Sequence, residues 1–101
     1  MKLREIKKFI KSREYLISEH ADEERVKDKL TVDNIEEAIF AGEVIEERPD
    51  DPRGESKLIA GRTQGNKMIH VVIGLRFETP IIVTVYLPDD KEWISGKIRK
   101  P

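Results

Sequence analysis

A chain of 101 residues with 38% hydrophobic and 39% charged side chains can bury one modest core, and is too short for two. Its lack of cysteine excludes disulfides, zinc–thiolate sites and thiol catalysis. No apolar run approaches the roughly 18 residues of a membrane span, and the basic N-terminus lacks the apolar stretch of a signal peptide, which predicts a cytoplasmic protein without membrane contact.

The formal charge of −1 conceals an asymmetry: residues 1–13 carry net +5, residues 14–55 net −10 and residues 56–101 net +4. The acidic middle repels a long nucleic acid unless it faces away, so whole-chain charge gives no support for strong nucleic-acid binding. One glutamine and two asparagines beside abundant Lys, Glu, Arg and Ile give the composition of a thermophile protein.

Residues 2–12 place Leu3, Ile6, Phe9 and Ile10 at helical spacing among Lys2, Arg4, Lys7, Lys8 and Lys11. This predicts a basic amphipathic helix within residues 1–14, packed on the core or on a partner subunit, with a nucleic-acid or membrane contact as the alternative. Tyr15-Leu16-Ile17 can form a short strand. Ser18 is the expected N-cap of a helix from Glu19 to about Lys29, with Glu19 and Asp22 near the positive end of its dipole. Thr31 is the next N-cap, and the stripe Ile35, Ala38, Ile39 stops at Gly42.

Val44-Ile45 opens a strand along the sheet, and Pro49 to Gly54 must be a loop because prolines and glycine interrupt a ladder. A strand from Lys57 to Thr63, a turn at Gln64-Gly65-Asn66 and two strands between Lys67 and Leu87 follow. Trp93 and Ile94 are expected to plug one core edge, ending a core of residues 15–94, and residues 95–101 read as a loose tail.

The two strands after Lys67 have chemically distinct faces, because successive side chains point to opposite sides. In the first, Ile69, Val71, Ile73, Leu75 and Phe77 alternate with Met68, His70, Val72, Gly74 and Arg76. In the second, Ile81, Val83, Val85 and Leu87 alternate with Ile82, Thr84 and Tyr86. A three-residue loop at Gln64-Gly65-Asn66 would set Arg62 opposite Met68 and Ala60 opposite His70. One at Glu78-Thr79-Pro80 would set Gly74 opposite Thr84 and Val72 opposite Tyr86. These registers gather Arg62, His70, Thr84 and Tyr86 on one face while helices cover the other; a two-residue loop at Gly65-Asn66 would instead flip Arg62 away.

Metal sites are not predicted. His20 and Glu24 share a helix face but need a further ligand, and Glu43, Glu46, Glu47, Asp50 and Asp51 lack the periodicity of a calcium loop. No cofactor motif is present, so the cluster reads as a solvated edge.

The ordered landmarks are Ser18-Glu19-His20-Ala21, then Thr31 followed by Ile35-Glu36-Glu37-Ala38-Ile39, and Gly42-Glu43-Val44-Ile45. Next come Pro49 to Gly54, Leu58-Ile59-Ala60-Gly61, His70-Val71-Val72, Thr84-Val85-Tyr86 and Trp93. Together they resemble the domain of unknown function 4258 family over roughly residues 15–94. The resemblance implies an α+β fold, with N-terminal helices on one face of an antiparallel sheet of about four strands, and distant kinship with RelE-like and BrnT-like toxins, many of them ribonucleases. Family members usually carry an arginine one helical turn after the His-Ala pair, where this chain has Glu24 with Arg25 next along.

Metal-independent RNA cleavage needs a base, an acid and cations for the charge that develops on phosphate. His70, His20 and Tyr86 are the candidates for acid–base or stacking work; Arg62, Arg53 and Arg25 could hold phosphate, and Thr84 could position it. The expectation is therefore a toxin-like protein that engages RNA on an open sheet face, with cleavage as its enzymatic form and a small antitoxin-like protein as a further partner. The alternative is a non-catalytic binding or assembly module, most simply a homodimer.

Overall fold

Apolar residues recur at helical spacing in the N-terminal part and alternate by twos beyond it, which divides the chain into a helical layer and a sheet. The computed structural model describes residues 1–52, 54–76 and 78–101, with all their side chains except that of Arg76. The helices are α1 (Leu3–Lys11), α2 (Glu19–Lys27) and α3 (Val32–Ala41). The strands are β1 (Leu16–Ile17), β2 (Glu43–Arg48), β3 (Ser56–Arg62), β4 (Met68–Arg76), β5 (Thr79–Tyr86), β6 (Trp93–Ile94) and β7 (Ile98–Arg99). Strands β1 to β5 form one sheet in the order β1-β5-β4-β3-β2, while β6 and β7 form a separate hairpin. The main sheet thus has five strands, mostly antiparallel, with β1 running parallel to β5.

Ile6 and Ile10 of α1, Ile35, Ala38 and Ile39 of α3, and Ile59, Ile69, Val71, Ile73, Ile82 and Val85 of the sheet form the buried core. The apolar stripe of α1 therefore packs into this chain's own core, beside α3. Thr31 and Asn34 cap α3 reciprocally at 3.0 and 2.9 Å. Gly61 is required by close approach: a Cβ there would stand 1.9 Å from the Ala38 carbonyl oxygen.

Ser18 does two jobs. Its Oγ accepts the Ala21 N–H at 3.0 Å, starting α2, and donates to the Val83 carbonyl at 3.0 Å. Farther along the same outer edge of β5, Glu24 Oε1 accepts the Val85 N–H at 3.1 Å. Strand β1 is too short to satisfy that edge, so the cap and α2 complete it. Ser18→Ala should cost about 1 kcal/mol or more, because it removes an N-cap together with a link to the sheet; equilibrium urea unfolding measures the loss.

The β3–β4 register is the expected one, with Arg62 opposite Met68 and Ala60 opposite His70. Asn66, at φ 64°, supplies the left-handed residue that closes this three-residue loop. The β4–β5 register differs from expectation. Arg76 pairs with Thr79, so Thr79-Pro80 belong to β5. A register shift between Val72 and Ile73 then leaves Val83 as the extra residue, with Val72 opposite Thr84 and His70 opposite Tyr86. The alternation inverts across this bulge: Ile82 and Val85 enter the core, whereas Ile81, Thr84 and Tyr86 line the other face.

The expected loose tail is also corrected. Ile98 and Arg99 pair with Ile94 and Trp93, and the hairpin lies across the sheet face opposite the helices. Among the described residues no helix is long and apolar enough to cross a membrane.

Candidate functional site: a groove beside a clamped histidine

His70 points away from the helices, as its strand position requires, yet it is 0% exposed. Trp93 packs on it edge-to-face with ring centroids 4.5 Å apart, and Tyr86 lies 5.1 Å away on its cross-strand side. His70 Nε2 is 2.6 Å from the Gly96 carbonyl oxygen and Nδ1 is 3.1 Å from the Tyr86 hydroxyl. A carbonyl can only accept, so Nε2 carries the proton, and Nδ1 is left to accept from the Tyr86 hydroxyl. Burial lowers the His70 pKa from its ordinary value, with only partial opposition from the Gly96 hydrogen bond, and burial raises that of Tyr86. The pair is a neutral strut with both imidazole nitrogens engaged. The expectation of an open imidazole is corrected here: the C-terminal hairpin covers it.

The hairpin is fastened to β2 as well. Arg99 makes two 3.1 Å bonds to Glu46 and stacks 4.5 Å from the Trp93 ring centre, while Lys97 Nζ reaches Glu43 at 2.9 Å. The Arg99 hydrogen bonds hold the Glu46 carboxyl below the usual carboxylate range, and the hydrogen bond from Lys57 does the same for Glu47. Glu43, Glu46 and Glu47 thus pair with cations along the sheet edge, where Glu43 and Glu47 stay exposed to solvent as expected. Among the described residues no group of three potential ligands converges on a metal position.

By crossing over Ala60 and His70, the hairpin divides the face. On one side lies a small recess lined by Arg62, Met68 and Lys97. On the other is a groove of about 530 Å³. Leu58, Val72, Gly74, Ile81 and Val83 line it with apolar surface, Ser56, Thr84 and Tyr86 offer hydroxyls, and Arg48, Arg99, Asp51 and Glu55 bring charge. Arg48 is exposed and lies 3.7 Å from Glu46, which it shares with Arg99.

The residues singled out from sequence therefore separate. His70, Thr84 and Tyr86 share a face, with Thr84 and Tyr86 on the groove and His70 behind Tyr86. Arg62 is beyond the hairpin, where its guanidinium donates to the Asn66 carbonyl at 3.1 Å. His20, 67% exposed on α2, pairs with Glu24 at 3.2 Å and shares no partner with His70. Arg25 bonds Asp22 at 2.7 Å and the Leu30 carbonyl at 3.3 Å, tying off the end of its helix. Arg53 and Phe77 lie outside the described residues.

Sequence reasoning passed over Arg48, Arg99, Gly96 and Ser56. The lone tryptophan was the available signal for Arg99 and Gly96, since a large ring needs a covered surface and its flanking residues must travel with it.

Neither a curated protein nor a solved structure matches the chain. Residues 17–87, from β1 past the end of β5, match the family described as Domain of unknown function (DUF4258). Helix α1 and the C-terminal hairpin fall outside that stretch. On this match, and with helices and sheet arranged as described, the chain belongs to the DUF4258 family.

Proposed function

We propose that this protein is a small toxin-like RNA-binding protein, RelE-like in kinship, that holds single-stranded RNA in the sheet-face groove without cutting it through His70. The groove carries this reading. Its apolar floor and the Tyr86 ring can take an unstacked base, Thr84 and Ser56 can bond base edges or a 2′-hydroxyl, and Arg48 on the rim can meet a phosphate. The clamp on His70 favours binding over cleavage, because an imidazole with both nitrogens engaged under a hairpin cannot exchange a proton with a 2′-hydroxyl.

Fluorescence anisotropy with a labelled single-stranded RNA in metal-free buffer tests this. The wild type should bind and leave the RNA intact on a gel, and Arg48→Glu should weaken binding about tenfold by replacing attraction with repulsion. Absence of binding, or equal binding by the variant, contradicts the reading.

One observation favours a second reading, a homodimer or other assembly built on the same face. Leu16 is 58% exposed and Val83 38% exposed, both beside Ile81 at the groove margin. Apolar side chains in a row suit a protein surface. Sedimentation that shows a dimer which Leu16→Lys dissociates would favour assembly over RNA.

A further inference from the structure

Helix α1 contributes no lining residue to the groove, and its charge placement is unusual. Lys2, Arg4, Lys7, Lys8 and Lys11 sit on nine helical residues and the residue before them, and none of the five is in an ion pair among the described residues. Arg4, Lys8 and Lys11 are exposed and follow i, i+4, i+7 spacing, so they form one stripe about 10 Å long at 1.5 Å per residue. Arg4–Lys8 and Lys7–Lys11 are like-charge neighbours, and Lys2 and Arg4 oppose the helix dipole. Lys8 and Lys11 in the last turn complement the dipole, so the cost of the stripe falls on the N-terminal half of the helix. A chain with 20 acidic residues places just one of them, Glu5, within the helix, and Glu5 is spent capping the Lys2 N–H at 3.1 Å.

Position adds a second observation. The Met1 nitrogen lies 3.0 Å from Glu55 Oε1, and Glu55 lines the groove. The segment that leads into α1 therefore begins at the groove rim. Insertion into a bilayer is disfavoured because the apolar residues Ile6 and Ile10 are committed to the core.

We infer that the exposed face of α1 is a phosphate track that extends the groove and takes the backbone of single-stranded RNA. Its link to the groove rests on the RNA reading above; the anion contact itself does not. The track reads charge, and the groove reads bases.

The test compares wild type with the triple variant Arg4→Gln, Lys8→Gln, Lys11→Gln, its fold checked by circular dichroism. The probes are a 16-nucleotide single-stranded RNA, inorganic polyphosphate of similar length and anionic phospholipid vesicles. The wild type should bind RNA and polyphosphate, and the variant should lose about tenfold in affinity for both at low salt. Its slope of log affinity against log salt should be shallower by about 2, since each phosphate contact on a single strand contributes about 0.7. Unchanged slopes, wild-type indifference to polyphosphate at low salt, or binding of vesicles alone each overturn the track. Polyphosphate bound through α1 with RNA no tighter than polyphosphate would keep the track and sink the base-reading groove.

Discussion

Gly61→Ala is expected to be among the most damaging single substitutions in the chain, costing about 4 kcal/mol or preventing folding outright. The added methyl would sit 1.9 Å from the Ala38 carbonyl oxygen and 2.7 Å from its carbon, both backbone atoms that cannot rotate away. Relief requires α3 to lift from β3, and with it Ile35 and Ile39, which anchor the helical layer in the core. Chemical denaturation should show the loss as a lower midpoint with an unchanged m-value, or as a chain without cooperative unfolding. Near-wild-type stability would mean that helix and sheet are not held at this distance.

His70→Ala is expected to cost about 3 kcal/mol, from a buried cavity and from orphaning the Gly96 carbonyl and Tyr86 hydroxyl. Trp93 loses its packing partner in the same step. As the chain's single tryptophan it reports directly: its emission should shift to the red as the hairpin detaches. The same residue imposes a pH dependence. Its pKa in the folded protein lies below the ordinary 6.5, so between these two values the unfolded chain binds more protons. Its contribution is therefore complete above about pH 6.5 and lost as pH falls through that window toward the folded value. His70→Ala should flatten the slope of stability against pH there, which thermal unfolding across the window measures. An unshifted tryptophan spectrum and an unchanged slope would show the strut to be dispensable.

The parts of the fold that were legible in the sequence are those governed by local chemistry. Ser18 and Thr31 start their helices because a side-chain oxygen followed by helical spacing is a local signal, and Gln64-Gly65-Asn66 fixes the β3–β4 register because one left-handed residue suffices. The β4–β5 register was not legible. The Arg76–Thr79 pairing and a bulge at Val83 compensate each other, so His70, Thr84 and Tyr86 keep one face while Ile81 and Ile82 exchange sides. Alternation among isoleucines and valines carries no mark of where such a slip falls.

The candidate site divides in the same way. Which strand face bears the hydroxyls follows from counting by twos. What covers that face depends on Arg99 meeting Glu46 and Trp93 meeting His70, contacts across 53 and 23 residues that no local pattern specifies. Arg48 and Arg99 escaped notice because isolated arginines near a chain's turns and ends are ordinary. Geometry alone brings them to the groove.

The function argued here turns on an imidazole that supports the hairpin instead of handling protons for a substrate. Nitrogen-15 NMR of the His70 ring tests this most directly. The account predicts a single neutral form protonated at Nε2, slow to exchange with solvent and persisting as pH falls below 6.5, the ordinary histidine value. A ring that titrates at that ordinary value and exchanges its proton rapidly would contradict it, and would return His70 to the list of groups able to act on RNA.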